Sequence, residues 1–170
     1  MNTSQHNTQG RAGNGSLFWR NLFFTILQPG MVCGFFPWLI AREQYRTALN
    51  TPLSVDQYAG IIVFIAGVAI TLHCITRFAL DGRGTLSPAD PTRQLVISGL
   101  YKYSRNPMYI GVMFTLIGES LFTRSTGLWA YSLFIFTAFN IFIMGWEEPR
   151  LRKDFGSAYE DYCRKVRRWL

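Results

Sequence analysis

The sequence predicts an all-α membrane fold, with about four transmembrane helices and an amphipathic helix following them on the cytoplasmic side. Three observations carry that reading. Hydrophobic residues make up 49% of the 170, and charged residues only 16%. The charges fall in blocks separated by uncharged apolar runs, the first of which (21–41) is long enough to cross a bilayer. Beyond residue 150, apolar side chains recur at spacings of three and four among arginines and lysines. The formal charge of +7 then finds its partner in an anionic membrane face rather than in nucleic acid. Cys33, Cys74 and Cys163 have neither disulfide nor metal-cluster spacing, and His6 and His73 match no ligand pattern, so no metal site is expected.

Residues 1–16 are polar and rich in Gly and Asn, a tail expected to be disordered. No removable signal peptide is expected. A single domain should occupy 17–170. The first span is predicted at about Asn21 to Ala41, kinked at Pro29, with a short polar loop from Arg42 to Asp56. A second span runs from about Gln57 to Thr76, and its Gly60 and Gly67 suit close helix packing in lipid. The connection from Arg77 to Arg105 is rich in Gly, Pro, Ser and Asp, and its length makes it a candidate functional loop. A third span, about Met108 to Phe122, carries Glu119, placed at the interface near Arg124. The fourth runs from about Leu128 to Trp146. Pro149 should then open a separate helix, with the residue before it forced out of helical geometry. Its stripe of Leu151, Phe155, Tyr159, Tyr162, Val166 and Trp169 would lie on the membrane, as an anchor or as a lid over a site.

With four spans, 14 of the 17 Lys and Arg residues share the side of the termini, leaving Arg42, Arg46 and Arg124 opposite. Both termini are therefore expected in the cytoplasm, in a bacterial inner membrane or the endoplasmic reticulum. Two polar clusters share that side: Gly99 to Gly111 (GLYKYSRNPMYIG) and Glu147-Glu148-Pro149-Arg150. The hairpin of spans three and four returns both to one mouth, and a basic loop facing an acidic pair there has the makings of a site.

The segments LVISGLYKYSRNPMYIG and EEPRLRKDFGSAYEDYCRKVRRWL resemble the isoprenylcysteine carboxyl methyltransferase and phospholipid methyltransferase group, over roughly residues 77–170. The resemblance implies a membrane enzyme holding S-adenosylmethionine in a cytoplasm-facing pocket. It implies cofactor-binding roles for Arg93, Gln94, Leu95, Val96, Tyr101, Asn106, Pro107, Met108, Tyr109, Glu147 and, in the phospholipid branch, Glu148. Arg105 and Glu148 are candidates for aligning the reactants. Two departures bear on the acceptor. Asn106 stands where the group usually has a histidine, and an amide cannot titrate. Ile143 stands where the prenylcysteine enzymes place a substrate-contacting arginine. Methylation of a carboxylate oxygen on a lipidic or prenylated acceptor is the favoured expectation, with phospholipid N-methylation as the alternative. A nicotinamide-dependent membrane reductase and a non-enzymatic membrane protein are the remaining readings.

Overall fold

The computed structural model describes residues 27–81 and 95–169, the side chains of 78–81 apart. The expected tail, the start of the first span, and Arg93 and Gln94 lie outside the described residues. All regular structure among those residues is helical. A π-helical turn, Met31–Phe35, leads into α1 (Phe36–Asn50), followed by α2 (Val55–Asp81) and a 3-10 turn at Gly99–Lys102. Next come α3 (Pro107–Thr123), α4 (Thr126–Phe142), a second π-helical turn at Ile143–Glu147, α5 (Glu148–Phe155) and α6 (Ser157–Lys165). Two helical runs are long and apolar enough to cross a membrane, Val55–Arg77 and Thr126–Phe155, and α3 is apolar but shorter. Their outer faces are bare hydrocarbon: Ile62 is 69% exposed and Leu133 67%. A contiguous apolar exterior of that kind suits lipid contact.

Both π-helical turns have one cause, and it corrects the expectation at Pro149. Proline has no N–H to donate, and its ring crowds the carbonyl four residues back. Here the helix does not end before the proline; it widens. Phe36, just before Pro37, donates its N–H to the Met31 carbonyl, and Glu148, just before Pro149, donates to that of Ile143. Each is a bond across five residues, the signature of a π turn. Glu148 consequently keeps helical angles (φ −62°, ψ −44°), and α4 runs through into α5.

The predicted polar loop after the first span is also shorter than expected. Residues 42–50 stay helical beyond a break at the fully buried Ala41 (φ −120°, ψ 27°). Thr47, Asn50 and Thr51 each bond a carbonyl one turn back, carrying the helix through a polar stretch. Only 51–54 remains as a turn.

Helices α2 and α3 form the tightest seam. A Cβ on Gly67 would stand 2.7 Å from the Gly111 carbonyl oxygen, and one on Gly118 would stand 2.5 Å from the Phe64 nitrogen. The far end of the seam is tied by Arg124, which terminates α3 in the left-handed region (φ 53°). Its guanidinium donates to both Asp56 carboxylate oxygens and to Ser54 Oγ, each at 2.6 Å. Arg124 is thereby turned away from Glu119, which is buried within the protein. Glu119 is 8% exposed, bonded by the Tyr45 hydroxyl, and its Oε2 has no partner among the described residues.

Candidate functional site

The opposite end of the α3–α4 hairpin holds a cleft of about 80 Å³. Three pieces of chain build its walls. Leu95, Val96 and Tyr101 come from the segment before α3, where Tyr101 and Val96 pack on Cys74 of α2. Arg105 and Asn106 come from the turn into α3, and Ile143, Glu147, Glu148 and Leu151 from the π turn and α5. Tyr159 and Tyr162 of α6 complete it. Gly156, at φ 52° and ψ −129°, makes the sharp break that folds α6 back. Only glycine takes up that backbone region readily. The expected single amphipathic helix is therefore two, and part of its apolar stripe faces the cleft rather than a membrane.

The two acids differ in partners. Glu147 Oε2 accepts a 2.8 Å hydrogen bond from the Tyr109 hydroxyl, whose ring packs on Phe139. Glu148 is buried and accepts from Arg168 Nε at 2.8 Å and Nη2 at 3.0 Å, with Arg105 Nη1 3.2 Å away. A carboxylate held by two guanidiniums has its charge fully answered. Glu147 accepts from a neutral phenol and feels the Arg150 guanidinium only through space, so its carboxylate is the less committed of the two. On the basic side, Arg105 Nη1 approaches Cys163 Sγ at 2.8 Å, while its buried Nε has no partner among the described residues. A buried orphan donor beside an open cleft is a place for an anionic or carbonyl oxygen.

The tyrosines serve as neutral donors. Burial pushes the Tyr101 phenol well above its usual range, with Cys74 and Glu147 adding to the effect. Burial likewise pushes Tyr162 up to about 12, against the pull of Arg105. The Tyr162 hydroxyl donates to the Tyr101 carbonyl at 2.6 Å and so ties α6 to the 3-10 turn. The bond from Glu148, foremost, holds Arg168 more firmly in its charged form.

The cleft brings together Leu95, Val96, Tyr101, Arg105, Asn106, Glu147 and Glu148. Three other expected residues stand behind it. Pro107 opens α3, Met108 packs against the Cys74, Val96 and Tyr101 cluster, and Tyr109 orients Glu147. Asn106 spends its side-chain amide on the Arg168 carbonyl, at 3.0 Å. The sequence did not single out Arg168 or Cys163 for the site, and it placed Tyr159 and Tyr162 on a stripe that would anchor to the membrane or close as a lid. The signal for the tyrosines was Gly156, a helix breaker within the apolar stripe, after Phe155 and before Tyr159.

The model of the phospholipid methyltransferase family matches residues 55–158. A relative described as an uncharacterised protein of Haemophilus influenzae is 32% identical over 63 residues, 37% of this chain and the whole of that protein. No solved structure matches. The family match spans more than half of the chain and takes in α2 to α5, and the chain belongs to the phospholipid methyltransferase family. Membership implies methyltransferase activity of the isoprenylcysteine and phospholipid type.

Proposed function

We propose that this chain is an integral membrane methyltransferase that uses S-adenosylmethionine to methylate a lipidic acceptor at the cleft between Arg105 and Glu147. The observation that carries this reading is the pairing of Glu147, a carboxylate hydrogen-bonded by Tyr109 and by no cation among the described contacts, with one orphaned buried donor, Arg105 Nε, across a mixed apolar and aromatic cleft. Those groups fit a zwitterionic nucleoside: Glu147 for ribose hydroxyls or the ammonium, Arg105 for the carboxylate, and the Tyr101, Ile143 and Leu151 surfaces for the base. When bound, that cofactor supplies a methyl group on a sulfonium whose leaving group is a neutral thioether. No side chain has to act as a nucleophile. The residues instead hold the reactants in line and keep water out, terms that together amount to about 7–11 kcal/mol.

The chain has four spans in this reading, with α3 and α4 as the second hairpin and both termini in the cytoplasm under the positive-inside rule. The domain runs from 17 to 170, and its partners are the bilayer and an acceptor that enters laterally between helices. Carboxylate O-methylation is the favoured reaction. A carboxylate is ionised at neutral pH, whereas an ammonium with pKa about 10 must first lose a proton to a base. Asn106 cannot titrate, Glu148 is held by two arginines, and Glu147 is committed to the cofactor. Phospholipid N-methylation is the second reading, supported by the family description and by the apolar, buried Ile143 in the cleft wall.

The test uses membranes containing the chain and S-adenosylmethionine labelled on the methyl group, with the lipid-soluble product then treated with alkali. A methyl ester releases labelled methanol. Label that stays on a phospholipid headgroup overturns the carboxylate reading in favour of the amine, and no labelled lipid at all removes both. A further expectation concerns the π turn. Pro149→Ala restores an N–H at an interior helical position, where proline costs about 3 kcal/mol relative to alanine. It should raise the unfolding temperature in detergent. Closing the π turn to a regular one also rotates Glu147 against Tyr109, so S-adenosylmethionine should bind roughly tenfold more weakly. Unchanged affinity would show that the π turn has no part in aiming Glu147.

A further inference from the structure

Beyond α6 the chain turns extended at Val166 (φ −125°, ψ 130°) and runs as a strap onto the cleft walls. The Arg105 backbone N–H donates to the Arg167 carbonyl at 2.9 Å. The Arg168 carbonyl accepts from Asn106 Nδ2 at 3.0 Å and Ser104 Oγ at 3.2 Å. The Arg168 guanidinium forks onto Glu148, and the Trp169 ring packs on Phe136 at 5.4 Å. Arg105 and Asn106 belong to one wall, Glu148 to the other, so the strap bridges them.

We propose that this strap, 166–169, is the gate of the cleft: S-adenosylmethionine enters and leaves while the strap is undocked, and Arg168 and Asn106 set how often it undocks. The proposal rests on the reading above that the cleft holds that cofactor. Two observations lead to it. A void of about 80 Å³ has room for a handful of waters. A nucleoside joined to an amino acid is many times larger, so a wall must move. The strap stands outside the cleft lining, and as the tie between the two walls it is the element that lets them part at least cost. Val96, Tyr101 and Ile143 are fixed by buried apolar packing. The strap is held mainly by hydrogen bonds, and the Arg168 side chain, 32% exposed, regains water when it lets go. Exchange of the neutral bonds for water has a small net cost, and the charged fork on Glu148 is the strongest hold on the strap. Asn106, which also lines the cleft, thus acts as a tether through Nδ2, and Arg168 as a positioning residue that works through Glu148.

A gate has a kinetic signature that a ligand contact lacks. Weakening a contact speeds dissociation alone, whereas weakening a latch speeds association as well, because more molecules stand open. Binding of radiolabelled S-adenosylmethionine to the full chain in detergent would be followed in both directions for wild type, Arg168→Gln, Arg168→Lys and Asn106→Ala. Loss of the charged fork should raise both rates roughly tenfold. The lysine and alanine variants should fall between, and the dissociation constant should move less than either rate. Faster dissociation with unchanged association, or no change in either, overturns the gate. Hydrogen exchange without cofactor gives a second readout. The Arg105 amide, bonded to Arg167, should exchange faster in Arg168→Gln while the Leu116 amide in α3 stays protected. Should Leu116 lose protection too, the glutamine variant is misfolded and the lysine variant decides. Wild-type protein that binds no S-adenosylmethionine sinks the functional reading; wild-type binding with unmoved association rates in the variants sinks only the gate.

Discussion

Glu147→Gln is expected to weaken S-adenosylmethionine binding about ten- to hundredfold, while Glu119→Gln leaves it within about twofold. A hydrogen bond to a charged group contributes about 1.5–3 kcal/mol, and about 1.4 kcal/mol is a factor of ten in affinity. Glu147 lines the cleft, accepts its hydrogen bond from the neutral Tyr109, and has no hydrogen-bonded cation among the described contacts to take its charge from a ligand. Glutamine keeps the size and still accepts from Tyr109, so the change isolates the charge. Glu119 is also buried but lies ten residues beyond Tyr109 on α3, about 15 Å by helix rise, and its partner is Tyr45. Equilibrium titration of both variants decides the matter. Equal losses would take Glu147 out of the site, since they would show a general effect of removing buried carboxylates.

How much of this was legible depends on the range of the interaction. The helices were, because hydropathy and 3.6-residue periodicity are local: α3 was expected at Met108 to Phe122 and is found at Pro107–Thr123. The meeting of the Gly99–Gly111 segment with the Glu147–Glu148 pair was legible too, because a hairpin of two similar helices returns its ends to one level. What the sequence hid was set by partners far along the chain. Nothing local to Glu148 shows that Arg168, 20 residues on, takes both its oxygens. Nothing local to Asn106 shows that its amide is spent on the Arg168 carbonyl. Glu119 and Arg124 stand about one turn apart in sequence, yet the left-handed turn at Arg124 sends its guanidinium to Asp56. The proline rule misled in a different way. It states that a helix is disturbed at Pro149, and a π turn satisfies the same steric demand as a helix end. Only the packing of Glu147 on Tyr109 and Glu148 on Arg168 selects between the two.

The largest effect on folding is expected in the α2–α3 seam, where Gly118→Val should leave no folded protein. A Cβ at Gly118 would meet the Phe64 nitrogen at 2.5 Å, and the Gly60 carbonyl oxygen and Phe64 Cα at 2.7 Å each. These are backbone atoms of a regular helix, so no rotamer change can relieve them and α2 itself must move. Overpacking a core costs about 1–3 kcal/mol when side chains can yield, and more when they cannot. The loss also reaches the cleft, because α2 carries Cys74, on which Tyr101 and Val96 rest. Gly118→Ala should already lower the unfolding temperature in detergent by several degrees. Gly30→Ala provides the contrast: Gly30 has helical angles and nothing within 4 Å of its added Cβ. There the same substitution should stabilise by about 0.4–1 kcal/mol through the unfolded state. Size-exclusion profiles and thermal unfolding of the three variants measure this directly. A Gly118→Ala protein as stable as wild type would mean that α2 and α3 do not approach this closely, and the wall formed by Tyr101 and Val96 would lose its footing.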